Sequence, residues 1–498
     1  MICVSIGRGR HRHVIAEHKH LVQQGAELVE LRLDYISGVV NIKRLLADRP
    51  SPVVITCRRE RDGGKYTGSE EERLLLLRQA IVEGADYVDL EDDIAASVPR
   101  YGKTKRVVSL HDFRGTPENL PEIHARLASL DADVVKISTL GQHTHDNVRM
   151  LEMIAASKQP TVGICMGDIG TPSRILAGRF GAAFTYATFH HERALAPGQL
   201  SFQQMCEIYN YNRLNRETEV FGVIGDPIGH SYSPLVHNAA FRHLDMNRVY
   251  VPFRVPVADL PEFMSDIPRW GLRGLSVTIP HKEAIMRRLN KVDGAVRTVG
   301  AANTIVVSDD GLLIGYNSDY RAAMESLEEA LGGIRNDQSP LTGKTLLVLG
   351  AGGAARAVAF GAHRRGAHVI IAGRTLGRAE QLATAVGGRA VDWSSRHGVD
   401  ADVLVNCTPV GMHPNVDDTP FEEYYLRPSM VVFDTVYNPE STLLVKDARE
   451  RSCRVITGVD MFVRQAAIQF QHFTGEPAPT AVMRDALRRA IDPVKQHY

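Results

Sequence analysis

Two residues in the first half of the chain have the types that covalent carbonyl chemistry requires. Lys136 sits inside "ADVVKIS" (132–138), otherwise a run that reads as a buried β-strand, and His111 lies near the end of "RVVSLHD" (106–112). Desolvation within a strand disfavours the ammonium form of lysine, and a neutral amine can attack a ketone to form a Schiff base. A histidine on a neighbouring strand adds the proton shuttle needed for an imine-mediated elimination. The competing reading of the lysine is a pair with a buried acid, or a stem that snorkels to the rim. A second chemistry is legible in "LLVLGAGGAARAV" (346–358), where an apolar strand runs into Gly350, Ala351, Gly352, Gly353 and Ala354 and then an alanine-rich helix. This G-x-G-x-x-A spacing, completed by Ala355, predicts a dinucleotide with its pyrophosphate on the helix amino terminus. The next strand, "HVIIAGRT" (368–375), presents Arg374 and Thr375, with Arg378 beyond and no acid, which favours the 2′-phosphate of NADP over the ribose hydroxyl of NAD.

The elements that must position Lys136 and His111 recur as eight short apolar segments: "ICVSI", "ELVELRL", "PVVITCR", "YVDLE", "RVVSLHD", "VVKIS", "TVGICM" and "FTYATF". Helical patterns such as "EEERLLLLRQAIVEGAD" separate them, and strand alternating with helix implies parallel pairing. Eight units in about 200 residues match a closed (β/α)₈ barrel. An open doubly wound sheet would need a glycine-rich phosphate turn after an early strand, and residues 1–212 contain none. Reactive groups in such a barrel sit at the carboxyl ends of its strands. Glu30, Arg32, Arg58, His111, Asp112, Lys136 and Met166 are therefore expected to share one mouth.

At 498 residues the chain exceeds one ordinary core, and roughly 150 residues per domain suggests about three domains. Lys plus Arg and Asp plus Glu are 58 each, a balance that offers no long-range attraction for nucleic acid or an anionic membrane and leaves small molecules as the expected partners. Six scattered cysteines without a C-x-x-C pair suit reduced thiols, no apolar run reaches the length of a membrane span, and "MICVSIGRGR" enters a strand pattern at once, so a cytoplasmic location is expected. The clusters "RHRH", "HTH" and "FHHER" lack metal-ligand spacing and read as surface or loop features, and no metal is expected. Expected boundaries are a barrel over 1–212, a linker over 213–219, a mixed-sheet domain over 220–335 joined by helices of 459–498, and a nucleotide domain over 340–458.

The motifs "ELRLDY", "TCRRERDGGKYTG", "SLHDF", "ADVVKIS", "MGDIGTPSRILAGRFG" and "APGQ" resemble, in order, those of the type I 3-dehydroquinate dehydratases. The resemblance implies that Lys136 forms the imine and that His111 removes a proton beside it and then assists loss of the hydroxyl as water. It further implies substrate contacts from Ser5, Glu30, Arg32, Arg58, Asp62 and Met166, a carboxylate clamp at Arg174, and Gln199 closing the site. Arginine suits that clamp because its planar fork donates two parallel hydrogen bonds. The chain departs from the family at Asp62, where a glutamate commonly orients the histidine, at Leu195, where serine is common, and at Ile164, where some members have methionine.

Residues 219–498 resemble the shikimate dehydrogenases through "VIGDPIGHSYSP", "GLSVTIPHK", "GAANTI", "GYNSDY", "VNCTPVGM", "DTVYNPESTLL" and "GVDMFVRQAAIQF". The resemblance implies that Ser231 and Ser233 bind the substrate carboxylate, that Thr278, Asn303, Tyr437 and Gln465 help hold the ring, and that Lys282 with Asp319 is the acid/base site. Thr435, Gly458 and Met461 would lie near the nicotinamide, and Ser276 replaces a common asparagine. The fold class expected is α/β, an N-terminal (β/α)₈ TIM barrel followed by a two-domain shikimate-dehydrogenase-like module with a Rossmann NADP-binding domain. Dehydration of 3-dehydroquinate followed by NADPH-dependent reduction to shikimate joins both halves through one intermediate. The alternatives are a catabolic quinate or shikimate dehydrogenase fused to a dehydratase, and a degenerate metabolite-sensing regulator.

Overall fold

The computed structural model describes residues 1–190, 195–196, 198–335 and 337–491, and divides into two compact units, Met1–Pro234 with Met246–Leu272 and Leu235–Asp245 with Arg273 onward. In the first unit the expected strands form as β1 (Ile2–Ile6), β2 (Leu28–Arg32), β3 (Val53–Thr56), β4 (Tyr87–Glu91), β5 (Lys105–Asp112), β6 (Val134–Leu140), β7 (Thr161–Met166) and β8 (Thr185–Thr188). Parallel ladders run in the order β7-β6-β5-β4-β3-β2-β1-β8, and the Ala183 amide donates to Thr161 O at 2.9 Å across the seam between β7 and β8. The result is a nearly closed barrel.

Because side chains alternate along a strand, the face that carries Lys136 is set two residues earlier by Val134. Cys3, Leu28, Val54, Val107, Val134, Val162 and Phe184 form a buried apolar floor across the strands. One step up each strand the same face carries Ser5, Glu30, Thr56, Asp89, Ser109 and Lys136, and a further step reaches Arg32, Arg58, Glu91, His111 and Met166. Layered side chains of this kind fill a barrel instead of leaving a pore. Polar residues therefore sit on an apolar base, towards the carboxyl ends.

The first unit also contains β9 (Glu219–Gly225) and β10 (Arg248–Arg254), paired in parallel. The segment expected as a linker over 213–219 lies against the barrel: Thr218 is buried, and its carbonyl accepts from Arg179 Nε at 2.8 Å. The "HTH" cluster, expected to be a surface or loop feature, starts the helix Thr144–Ala156 and is engaged by two buried acids. Asp259 accepts from the Thr144 amide at 3.1 Å and lies 3.2 Å from His143 Nδ1, while His145 Nδ1 lies 2.6 Å from Asp266. A carboxylate at a helix amino terminus satisfies an amide left without an intrahelical partner. Of "FHHER", residues 191–193 lie outside the described residues.

The second unit holds β11 (Leu272–Val277), β12 (Lys291–Val292), β13 (Thr304–Val307) and β14 (Leu313–Tyr316), with β11 and β14 each antiparallel to β13 and β12 parallel to β14. Its nucleotide sheet consists of β15 (Thr345–Leu349), β16 (His368–Gly373), β17 (Arg389–Asp392), β18 (Val403–Asn406), β19 (Val431–Asp434) and β20 (Arg454–Ile456). These strands pair in parallel in the order β17-β16-β15-β18-β19-β20. The order reverses direction at β15, the position where ligands of open α/β sheets bind beyond the carboxyl ends. Among the described residues no helix is long and apolar enough to cross a membrane.

Candidate active sites

A cavity of about 320 Å³ opens at the carboxyl ends of the barrel strands and is lined by Ser5, Glu30, Arg32, Arg58, Asp62, His111, Lys136, Met166, Arg174 and Gln199, together with Ile164, Tyr186 and Leu195. All ten barrel residues expected to contact substrate or perform chemistry are thus brought together. Lys136 Nζ lies 3.0 Å from Asp89 Oδ2, 3.9 Å from Glu30 Oε1 and 4.2 Å from the centre of the Tyr186 ring. The nitrogen expected to stand alone in a dry interior is therefore paired with a buried carboxylate. The alternative reading, a lysine paired with a buried acid, describes the resting geometry.

Asp89 was not singled out from sequence, although "YVDLE" signals it: two acids alternate on the inward face of a barrel strand. Its carboxylate also accepts from Ser109 Oγ at 2.6 Å and pairs with Arg58 at 2.8 Å. Burial pushes Asp89 up, but Arg58 and Lys136 outweigh it and hold the acid below the ordinary range. Arg58 in turn reaches Glu91 and Ser109, both at 3.0 Å, and Glu91 is shared with the buried Arg73. Glu30 accepts from Ser5 at 2.6 Å and Thr56 at 2.8 Å, and Arg32 makes a two-pronged contact with Asp34 at 2.9 and 2.7 Å.

His111 faces the same interior as Lys136 because Ser109 registers with Lys136 and His111 with Ser138. Burial, then the charges of Arg58 and Lys136, push His111 well below the ordinary histidine range, so the imidazole is neutral and able to accept a proton. Its Nδ1 has no hydrogen-bond partner among the described residues, and Asp62, which stands where the family's orienting glutamate was expected, bonds instead to Arg59 at 2.6 Å. Burial lowers Arg174 to about 10, which leaves it cationic at neutral pH. Gln199 Oε1 accepts from the Leu195 amide at 2.9 Å.

In the second unit Lys282 Nζ donates to Asp319 Oδ2 at 2.6 Å. Lys282 follows the turn closed by the His281 amide on Thr278 O, and Asp319 lies in the first turn of the helix Ser318–Ala330, capped by Asn317. Asn303 accepts from the Ser318 amide at 2.7 Å and donates to Ser318 Oγ at 2.9 Å, and that hydroxyl donates to Gln465 Oε1 at 3.3 Å. Ser276, where an asparagine was common, is buried and donates to Gln469 at 2.8 Å, a residue missed from sequence because it lies on a helix 193 residues away. Ser231 and Ser233 lie on the first unit, where the Ser233 amide donates to Ser231 Oγ at 3.3 Å.

The glycine turn follows β15. Gly350 has φ +109°, a backbone conformation that favours glycine, and Gly352 caps the helix Gly353–Arg364. A Cβ on Gly353 would lie 3.7 Å from Lys282 Cδ, so the lysine stem runs beside this turn. Ala351 and Ala354 complete the cradle. Arg374, Thr375 and Arg378 are exposed at the end of β16, and neither arginine has an acidic partner among the described residues, which leaves both available to a phosphate. Thr435 follows β19, the Tyr437 ring lies 4.8 Å from that of Phe462, and Gly458 and Met461 begin the helix Gly458–Thr474. These residues fit a dinucleotide. A separate groove of about 730 Å³ contains none of the residues expected to act, and its Arg321, Arg464 and Arg484 are already paired with Glu325, Glu329 and Asp460.

The chain matches the type I 3-dehydroquinase family over residues 2–216, the shikimate dehydrogenase substrate binding domain over 223–305, an NADP oxidoreductase, coenzyme F420-dependent, domain over 345–432, and the shikimate 5′-dehydrogenase C-terminal domain over 458–488. It is 39% identical over 500 residues to the chloroplastic bifunctional 3-dehydroquinate dehydratase/shikimate dehydrogenase of Arabidopsis thaliana, covering 96% of this chain and 83% of that one. The shikimate dehydrogenase (NADP(+)) of Moorella thermoacetica is 42% identical over 290 residues, 56% of this chain and 96% of its own. Among solved structures, a shikimate dehydrogenase in complex with NADP+ aligns with a TM-score of 0.51 at 37% identity, covering 56% of this chain and 97% of that chain.

Proposed function

Because the chain belongs to the family of bifunctional 3-dehydroquinate dehydratases/shikimate dehydrogenases, we propose that Lys136 and His111 carry its dehydration of 3-dehydroquinate and that Lys282 and Asp319 carry the NADPH-dependent reduction of the product to shikimate. The observation that carries this assignment is the convergence of a lysine, a neutral histidine and buried arginines on one barrel cavity. The test is to supply 3-dehydroquinate and NADPH to the purified chain and follow NADPH consumption; no oxidation would overturn it.

In the barrel, the Lys136 nitrogen attacks the substrate carbonyl carbon, and His111 relays the two protons the nitrogen loses to the carbonyl oxygen, which departs as water and leaves an iminium. Asp89, 3.0 Å from that nitrogen, stabilises the cationic iminium that serves as the electron sink. His111 takes a proton from the carbon next to the iminium and returns it to the departing hydroxyl. Arg174 holds the substrate carboxylate, Glu30, Arg32 and Arg58 hold ring hydroxyls, Ser5, Asp62 and Met166 shape the pocket, and Gln199 closes it. Hydrolysis releases 3-dehydroshikimate and restores Lys136. Asp89→Asn is expected to lower dehydratase kcat about 10²-fold, the scale of removing one electrostatic contact from a developing charge, while reductase turnover stays unchanged. Steady-state assays of both reactions check this.

In the second module the Lys282 ammonium, oriented by Asp319, donates its proton to the ketone oxygen. NADPH, when bound, would supply the hydride for the carbonyl carbon. Ser231 and Ser233 bind the carboxylate, and Thr278, Asn303, Tyr437 and Gln465 hold the ring. Gly350 to Ala354 receive the pyrophosphate, Arg374, Thr375 and Arg378 the 2′-phosphate, and Thr435, Gly458 and Met461 border the nicotinamide. Replacing Arg374 and Arg378 together by Ala is expected to reduce kcat/KM for NADPH about 10²-fold, one to two charge-assisted contacts, and to leave the NADH value within about twofold. The ratio of the two values is the readout. We place the domain boundaries at 1–212, 220–335 with 459–498, and 340–458, and assign the chain to the cytoplasm, a reducing compartment that suits six free cysteines.

A further inference from the structure

Asp434, at the carboxyl end of β19, is fully buried, and no cation pairs with it among the described residues. It is instead surrounded by donors from three segments: Asn406 Nδ2 at 2.9 Å, the Val436 amide at 3.0 Å and Thr442 Oγ1 at 2.6 Å. Asn406 is its register partner on β18 and is equally committed, accepting from the Thr408 amide at 3.0 Å and from Thr408 Oγ1 at 2.7 Å. Thr435 returns to Asn406 O through its amide at 3.0 Å and its hydroxyl at 2.8 Å. Gly458 leans on the same structure, since a Cβ there would lie 2.1 Å from Val436 O. One carboxylate thus ties together the end of β18, the turn after β19 and Thr442, which caps the helix Leu443–Glu450.

An anion buried without a counter-charge is expensive to retain. Burial raises Asp434 to about 6, even though its three donors pull it down. The sign follows from the raised value: the protonated acid suits the fold, and that contribution is lost as pH rises through about 6. Above that pH the ion works against stability. What the carboxylate supplies is an acceptor for three donors that fix the position of its neighbours.

We propose that Asp434 is a positioning residue for the reductase, holding the Asn406–Val410 and Thr435–Tyr437 turns in the arrangement that receives the nicotinamide half of NADPH. The proposal rests on the reductase assignment above. Asparagine at this position presents two donors where the site supplies three, so one turn must move.

The test uses the full-length chain, with NADPH affinity read by equilibrium fluorescence titration, melting temperature read without cofactor, and dehydratase turnover as a check of folding. Asp434→Asn is expected to weaken NADPH binding about tenfold at pH 8 without lowering the melting temperature. The exchange N406D/D434N, which reverses donor and acceptor, is expected to recover affinity to within about threefold of wild type. Thr442→Val, which removes one donor and leaves the charge, is expected to weaken binding about threefold and decides the matter if Asp434→Asn does not fold. Affinity within about twofold of wild type in Asp434→Asn, or in Thr442→Val where that variant decides, would overturn the proposal. So would a loss of affinity that tracks a fall in melting temperature and is not recovered by the exchange. Wild-type protein that fails to bind NADPH would instead overturn the reductase assignment, and this proposal with it.

Discussion

Lys136→Ala is expected to abolish dehydration, lowering kcat by on the order of 10⁴–10⁶-fold, the range seen when a covalent nucleophile is removed, while NADPH-dependent reduction of 3-dehydroshikimate continues at the wild-type rate. The size of the effect follows from the absence of a substitute: His111 is a neutral imidazole that can move a proton, but no other amine lines the cavity among the described residues. Separate steady-state assays of each reaction check it, and mass spectrometry after borohydride treatment with 3-dehydroquinate provides a second readout. Wild-type protein should gain a stable adduct on Lys136, and the variant none. A variant that still dehydrates within about tenfold of wild type would sink the imine mechanism. The truncation also leaves Asp89 and Arg58 facing each other with one cation fewer, so Lys136→Met, which keeps the stem, controls for collapse of the pocket.

Lys282→Gln is expected to lower reductase kcat by about 10²–10⁴-fold, the usual contribution of a positioned general acid, with dehydratase turnover unchanged. Its nitrogen is held at 2.6 Å by Asp319, which aims it, so it can give up a proton as hydride reaches the ketone. Glutamine retains a donor and much of the stem but has no proton to release. KM for 3-dehydroshikimate should therefore change by less than about tenfold while kcat falls, the pattern of a contact made chiefly in the transition state. Asp319→Asn should give a smaller loss, because the lysine survives without the carboxylate that orients it. Equal losses of kcat and of substrate binding in both variants would instead assign the pair to binding alone.

Much of the candidate chemistry was legible because it is local or periodic. Position at the strand ends put Lys136, His111, Glu30 and Arg58 at one mouth, where alternation turns them to one face, and the glycine turn with Arg374 favoured NADP over NAD. Asp89 could have been found by the same alternation, since "YVDLE" puts two acids on the inward face, but a strand that buries acids invites attention only once their partners are known. Asp62 illustrates the opposite case. Its place in the motif suggested contact with His111, and the turn Glu60–Asp62 directs it to Arg59.

What the amino-acid order determined by itself was the set of elements, the barrel, the nucleotide fold and the residue types at each strand end, because backbone geometry converts spacing into facing. What the tertiary structure decided was which charges meet. Whether Lys136 stands alone or beside Asp89, whether His143 and His145 face water or the buried acids Asp259 and Asp266, and whether Ser276 finds Gln469 all depend on residues 47 to 193 positions apart. The physical reason is that the free energy of a buried polar group is set by the partners that fold around it, and no local pattern encodes partners so distant in the chain.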